Sequence, residues 1–147
     1  MKIVLDTNVV ISGIFWKGTP HKILEIIESR KDIEFIQGIA TFNELETVIK
    51  RGKFADITRT RALNIDAVLE ALLTVCKFYH ISEESKTIVN QDVTLKDPDD
   101  LKFIELAIEA GADYIISGDP HLLEIKKCNK IEILNPLEFL NIISNPR

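Results

Sequence analysis

The sequence predicts an α/β protein: a three-layer α/β/α sandwich around a parallel sheet. Three observations predict it. Short apolar, β-branched runs alternate with stretches of helical periodicity along the whole chain. Helices open on proline in the first turn at Thr19-Pro20, Asp97-Pro98 and Asp119-Pro120. No repeat, low-complexity run or glycine- and proline-rich linker interrupts the alternation. The 147 residues, 46% hydrophobic and 28% charged, suit one domain over 1–147 with a real core.

Each element has its own signal. Residues 2–5, Lys-Ile-Val-Leu, form a first strand that Asp6 stops. The helix from Thr19 turns Ile23, Leu24, Ile26 and Ile27 inward, and Ile33 to Ile36 reads as the second strand. Thr41-Phe42-Asn43-Glu44 fits a capping box opening a helix with Leu45, Val48 and Ile49 inside. One long helix is expected over about 59–77, then a strand at 78–81. Asp97-Pro98 starts another helix, carrying Phe103, Ile104, Ala107 and Ile108 and ending at Gly111. Tyr114 to Ile116 and Ile131 to Leu134 complete the strands, and a closing helix runs from Pro136.

Composition narrows the function. No segment approaches the ~20 apolar residues of a membrane span. The first residues do not read as a secretory leader, because Asp6 and Asn8 break the apolar run. Cys76 and Cys128 have no metal-like spacing with each other or with the three histidines. A reduced, cytoplasmic protein without membrane contact is expected. The net charge of −5 argues against a protein that coats nucleic acid, yet the charge is uneven. Lys50, Arg51, Lys53, Arg59 and Arg61 form one basic cluster and Lys126, Lys127 and Lys130 another. Asp92, Asp97, Asp99 and Asp100 lie in one acidic stretch.

Ligands of an open parallel sheet bind beyond the carboxyl ends of its strands. Asp6, Glu44, the Asp97–Asp100 run and Asp119 all fall at, or just after, such ends. Each has a local explanation: Glu44 as part of a capping box, Asp97 and Asp119 as N-caps, Asp99 and Asp100 as partners of a helix dipole. Together they would repel and raise one another's pKa, which a divalent cation relieves. Oxygen ligands without His or Cys select Mg²⁺ or Mn²⁺. Such a cation can bridge an acidic pocket to phosphate, so the pattern points to a metal-dependent phosphodiesterase.

Leu5-Asp6-Thr7-Asn8-Val9, Phe42-Asn43-Glu44-Leu45, Asp97-Pro98-Asp99-Asp100 with Phe103 and Ala107, and Ser117-Gly118-Asp119 together resemble the PIN-domain family. The likeness runs across nearly the whole chain and is closest to the VapC-like toxins of toxin–antitoxin pairs. It implies a PIN-like, Rossmann-like sandwich and an endoribonuclease that uses Mg²⁺ or Mn²⁺ to cut single-stranded or structured RNA. By position, Asp6, Glu44, Asp100 and Asp119 would be the catalytic, metal-binding acids, with Asp97 in reserve beside Asp100. Asn8 and Ser117 would orient ligands or water. Leu101 stands where an acid often follows the Asp-Asp pair, and His121-Leu122-Leu123 replaces a usual aspartate and aromatic. A homodimer and an antitoxin partner are further expectations of the likeness.

Lys50, Arg51 and Lys53 are candidate RNA-phosphate contacts, and Phe15 and Trp16 candidate stacking residues. His121 reads better as a solvent-side helix residue than as a base, and His21 and His80 as structural. A haloacid-dehalogenase-type phosphatase would want an aspartate at Asn8. A P-loop would want lysine where Gly13–Thr19 has threonine. A receiver-like domain would want a central phosphoacceptor aspartate. The remaining rivals are a catalytically silent PIN-fold binding module and a housekeeping RNA-processing nuclease.

Overall fold

The computed structural model describes residues 1–86 and 98–144. The strands are β1 (Lys2–Leu5), β2 (Glu34–Gln37), β3 (Cys76–Phe78), β4 (Tyr114–Ile116), β5 (Lys127–Cys128) and β6 (Ile131–Leu134). They form one sheet in the order β3-β2-β1-β4-β6-β5. All pairings are parallel except β5 with β6, a short antiparallel hairpin at one edge. The helices are α1 (Thr7–Phe15), α2 (Thr19–Ser29), α3 (Ile39–Ile49), α4 (Gly52–Thr60), α5 (Ile65–Val75), α6 (Leu101–Ala110), α7 (Pro120–Ile125) and α8 (Pro136–Ser144).

Strand alternation produces the three layers, because successive side chains leave opposite faces of the sheet. Ile3, Leu5, Phe35 and Ile116 join a core with α1, α2, α3, α5 and α8. Val4, Ile36, Ile115 and Ile133 join a second core with α6 and α7. The central strand β1 is buried on both sides, with Ile3, Val4 and Leu5 all at most 2% exposed. The expected α/β/α sandwich is therefore the observed architecture.

Four local expectations differ from the structure. The helix expected over 59–77 is two helices, α4 and α5, broken where Ala62 takes a left-handed φ of 53° and Asn64 caps α5 through Ala67 N–H. The third strand lies at Cys76–Phe78 rather than 78–81. Helix α3 begins at Ile39, two residues before the expected capping box: Gly38 is its N-cap, and the Thr41 hydroxyl reaches back to Gly38 N–H at 3.0 Å. The helix expected from Asp97-Pro98 opens as a 3₁₀ turn over Pro98–Asp100 and becomes α-helical at Leu101.

Gly111 ends α6 as expected, at φ +65°, a conformation that costs other residues free energy. A methyl group there would meet nothing within 4 Å, so only the backbone cost applies. Gly111→Ala is expected to lower stability by about 1 kcal/mol, read as a shifted urea midpoint with an unchanged slope.

Candidate active site

The site begins where β1 ends. Asp6 N–H still donates to Ile116 O of the neighbouring strand at 3.0 Å, while the Asp6 carboxylate turns to cap α1, accepting from Val9 N–H at 2.9 Å. Its other oxygen accepts from the hydroxyl of Ser117, the fully buried residue just after β4. The same Ser117 oxygen accepts from Asp119 N–H at 2.9 Å. Asp119 in turn caps α7, accepting from His121 N–H at 2.9 Å. One buried hydroxyl thus joins the two aspartates that end β1 and follow β4.

The Asp6 carboxyl is only 5% exposed, and burial holds its pKa above the ordinary aspartate value. The negative charge of Asp119 pushes the same way, while hydrogen bonds from Ser117, Val9 and Gly118 pull against it. Capping explains the local positions of Asp6 and Asp119. It does not require burying a carboxylate beside a second one.

Glu44 reaches this edge from the middle of α3, and both of its oxygens are engaged. Thr7 Oγ1 donates to one at 2.5 Å. Lys102 Nζ lies 3.1 Å from the other, with the two side chains only 19% and 28% exposed. Neither Thr7 nor Lys102 stands out in the sequence, since each is a neighbour of a motif acid and meets Glu44 only through the fold. The Glu44–Lys102 pair ties α3 to the start of α6, where Asp100 is 7% exposed. Asp99 is exposed, so of these two the helix start turns Asp100 inward.

The other candidates are placed as follows. Asn8 is exposed in the first turn of α1. Lys50 pairs with Asp66 of α5 at 3.3 Å, whereas Arg51 and Lys53 are exposed at the start of α4. Phe15 belongs to the core at 3% exposed, so of the two aromatics proposed for stacking only Trp16 presents a ring to solvent. His121 is exposed, and His21 lies 2.9 Å from both Gly13 O and a Glu25 oxygen. Asp97 lies outside the described residues.

Among the described residues, no three His, Cys, Asp or Glu side chains stand close enough together to hold a metal ion. The donors at this edge are nevertheless all oxygens, and two of the carboxylates are buried. That chemistry fits a hard, strongly hydrated divalent ion such as Mg²⁺, which keeps several waters and takes one or two carboxylates directly. It does not fit zinc, which wants closely set His or Cys ligands.

A parallel sheet with acids at and just beyond its strand ends places a ligand site over that edge. Residues 2–121 match the PIN-domain family model, and the chain belongs to that family, a family of nucleases. Solved structures share the fold, two VapBC proteins among them. VapBC2 from Rickettsia felis, bound to a DNA fragment from their promoter, superposes with a TM-score of 0.64 at 16% identity, over 92% of this chain and 98% of that one. VapBC-1 from nontypeable Haemophilus influenzae gives 0.57 at 17%, over 93% and 99%. No curated protein sequence matches the chain.

Proposed function

We propose that the protein is a divalent-metal-dependent endoribonuclease that hydrolyses phosphodiester bonds in single-stranded or structured RNA. The observation that carries this reading is the buried Asp6 carboxylate, joined through the Ser117 hydroxyl to the residue after next, Asp119. Asp6, Asp100 and Asp119 would hold Mg²⁺ or Mn²⁺, with Glu44 as the fourth acid and Asp97 in reserve. When bound, the ion supplies charge stabilisation for attack at phosphorus.

The chain's own residues do the rest. Ser117 fixes the Asp6 carboxylate against the sheet, so its direction is set by strand pairing rather than by a free rotamer. Asn8, exposed two residues beyond Asp6 in the first turn of α1, would orient water or ligand. Lys102 puts a cation beside the acids, where a phosphate oxygen would otherwise meet only negative charge.

The likeness to the VapBC proteins and the VapC-like motifs support a toxin role, with an antitoxin as partner, a homodimer as the working form and a cytoplasmic location. No helix among the described residues is long and apolar enough to cross a membrane. A second reading, a silent PIN-fold binding module, is favoured by the separation of the acids and the engagement of Glu44 by Lys102.

Incubation with a mixed single-stranded RNA pool separates the two. The nuclease is expected to cut in Mn²⁺, to stop in EDTA, and to lose cutting in Asp100→Asn. Growth arrest on expression, relieved by co-expressing an adjacent small gene, would support the toxin role. Failure of the wild type both to bind Mn²⁺ and to cut any pool would sink the nuclease and leave the binding module.

A further inference from the structure

We propose that the surface formed by the C-terminal end of α1 and by α4 is a stacking platform for single-stranded nucleic acid, with Trp16 as the ring that receives a base. The inference rests on the nuclease reading, since it gives that site a track along which its substrate is held.

Trp16 is 45% exposed, yet its indole is not loose. Phe15 packs against it edge-on at 5.9 Å between centroids and Phe54 at 6.4 Å. Phe15 and Phe54 are themselves stacked at 5.5 Å with planes 11° apart. A ring held at its edges loses little further freedom when a base covers its open face, so stacking is inexpensive there. Every base offers a π-face and only unpaired ones can use it, which selects single strands over duplexes.

The charge around the ring complements a phosphate backbone. Lys53 Nζ lies 5.1 Å from the centre of the Phe54 ring, and Arg61 donates to the Phe15 carbonyl. Among the described residues, Lys17, Arg51, Lys53 and Arg61 enter no ion pair, whereas Lys50 is matched by Asp66 and Arg59 by Asp56. In a chain of net charge −5, this is a local excess of cations beside an exposed aromatic. The geometry also links it to the acidic edge. Asp6 caps one end of α1 and Trp16 the other, so the ring stands about 15 Å along the axis from the aspartate. A strand engaged at Asp6 would meet the ring within a few nucleotides.

Trp16 is the chain's only tryptophan, so its emission reports directly on the platform. The full chain is titrated in EDTA with an unstructured 12-nucleotide RNA, the same sequence as DNA, its duplex, and poly-glutamate. Saturable quenching by the single strands, with weaker binding of the duplex, is expected; RNA against DNA shows whether the sugar is read. With dye-labelled RNA, Trp16→Ala and the double change Arg51→Glu with Lys53→Glu should each weaken binding about tenfold, and the double change should also flatten the salt dependence. Trp16→Phe should hold affinity near the wild type. Binding without a change in emission, an unaltered Trp16→Ala affinity, equal duplex binding, equal response to poly-glutamate, or no binding at all would overturn the platform. Because no metal is present, those outcomes are independent of whether Mn²⁺ supports cleavage.

Discussion

Asp6→Asn is expected to remove RNA cleavage by about a hundredfold or more while making the metal-free protein more stable at neutral pH. The loss follows from the proposed role, since replacing a metal-binding acid by an amide forfeits several kcal/mol of transition-state stabilisation. The gain follows from burial. Asparagine keeps an acceptor for Val9 N–H, and its amide can donate to Ser117 Oγ in place of the bond the hydroxyl gave the carboxylate, so most of the hydrogen bonding is kept while the buried charge is gone. The sign is set by linkage. Because the folded-state pKa of Asp6 is raised, its favourable contribution is fully present below the unfolded aspartate value. It is lost as pH rises through the folded-state pKa. The wild type should therefore lose stability relative to Asp6→Asn over that window, and Mn²⁺ should restore it to the wild type alone. Thermal melts of both proteins across pH, with and without Mn²⁺, read all three effects. Equal melting temperatures at every pH would show that the Asp6 charge costs the fold nothing.

The second large effect concerns Lys102. Lys102→Met should destabilise the metal-free protein by about 2 kcal/mol, between the small value of an exposed pair and the larger one of a fully buried pair. The methionine keeps the packing length but leaves Glu44 with only Thr7 as partner. A carboxylate released in this way is free to serve a divalent ion, so Mn²⁺ should bind more tightly to Lys102→Met than to the wild type. Calorimetric titration in parallel with urea unfolding tests both halves. Weaker Mn²⁺ binding in the variant would instead place Glu44 outside the metal's reach, as an anchor between α3 and α6.

These residues show how far the sequence could be read. Asp6, Ser117 and Asp119 are legible because an acid at or just past a strand end is a local pattern, and the parallel sheet brings such ends to one edge. Asp100 is legible only as part of an acidic run at a helix start. Thr7 and Lys102 are not, because their partner Glu44 is 37 residues from one and farther from the other. The start of α3 was hidden for a different reason: Gly38 has no side chain with which to announce a cap, and Ile39, though helical, is 68% exposed. The break between α4 and α5 falls on Ala62, where a glycine or asparagine would have signalled the left-handed turn. Strand β5 has two residues, too few to leave a periodicity. The basic cluster was visible as composition, but its division into matched and unmatched charges needed Asp56 and Asp66 in space.

The two ends of the sheet bear on how copies of the chain can meet. β3 has three residues and β5 two, and each carries an exposed lysine, Lys77 or Lys127. Short borders bearing ammonium groups resist extension by another strand, because docking a second backbone there would desolvate those charges for very few hydrogen bonds. Self-association by continuing the β-sheet is thereby discouraged. Among the described residues the helical layers offer the better contact for a dimer, where Leu137 and Ile142 of α8 present apolar side chains to solvent.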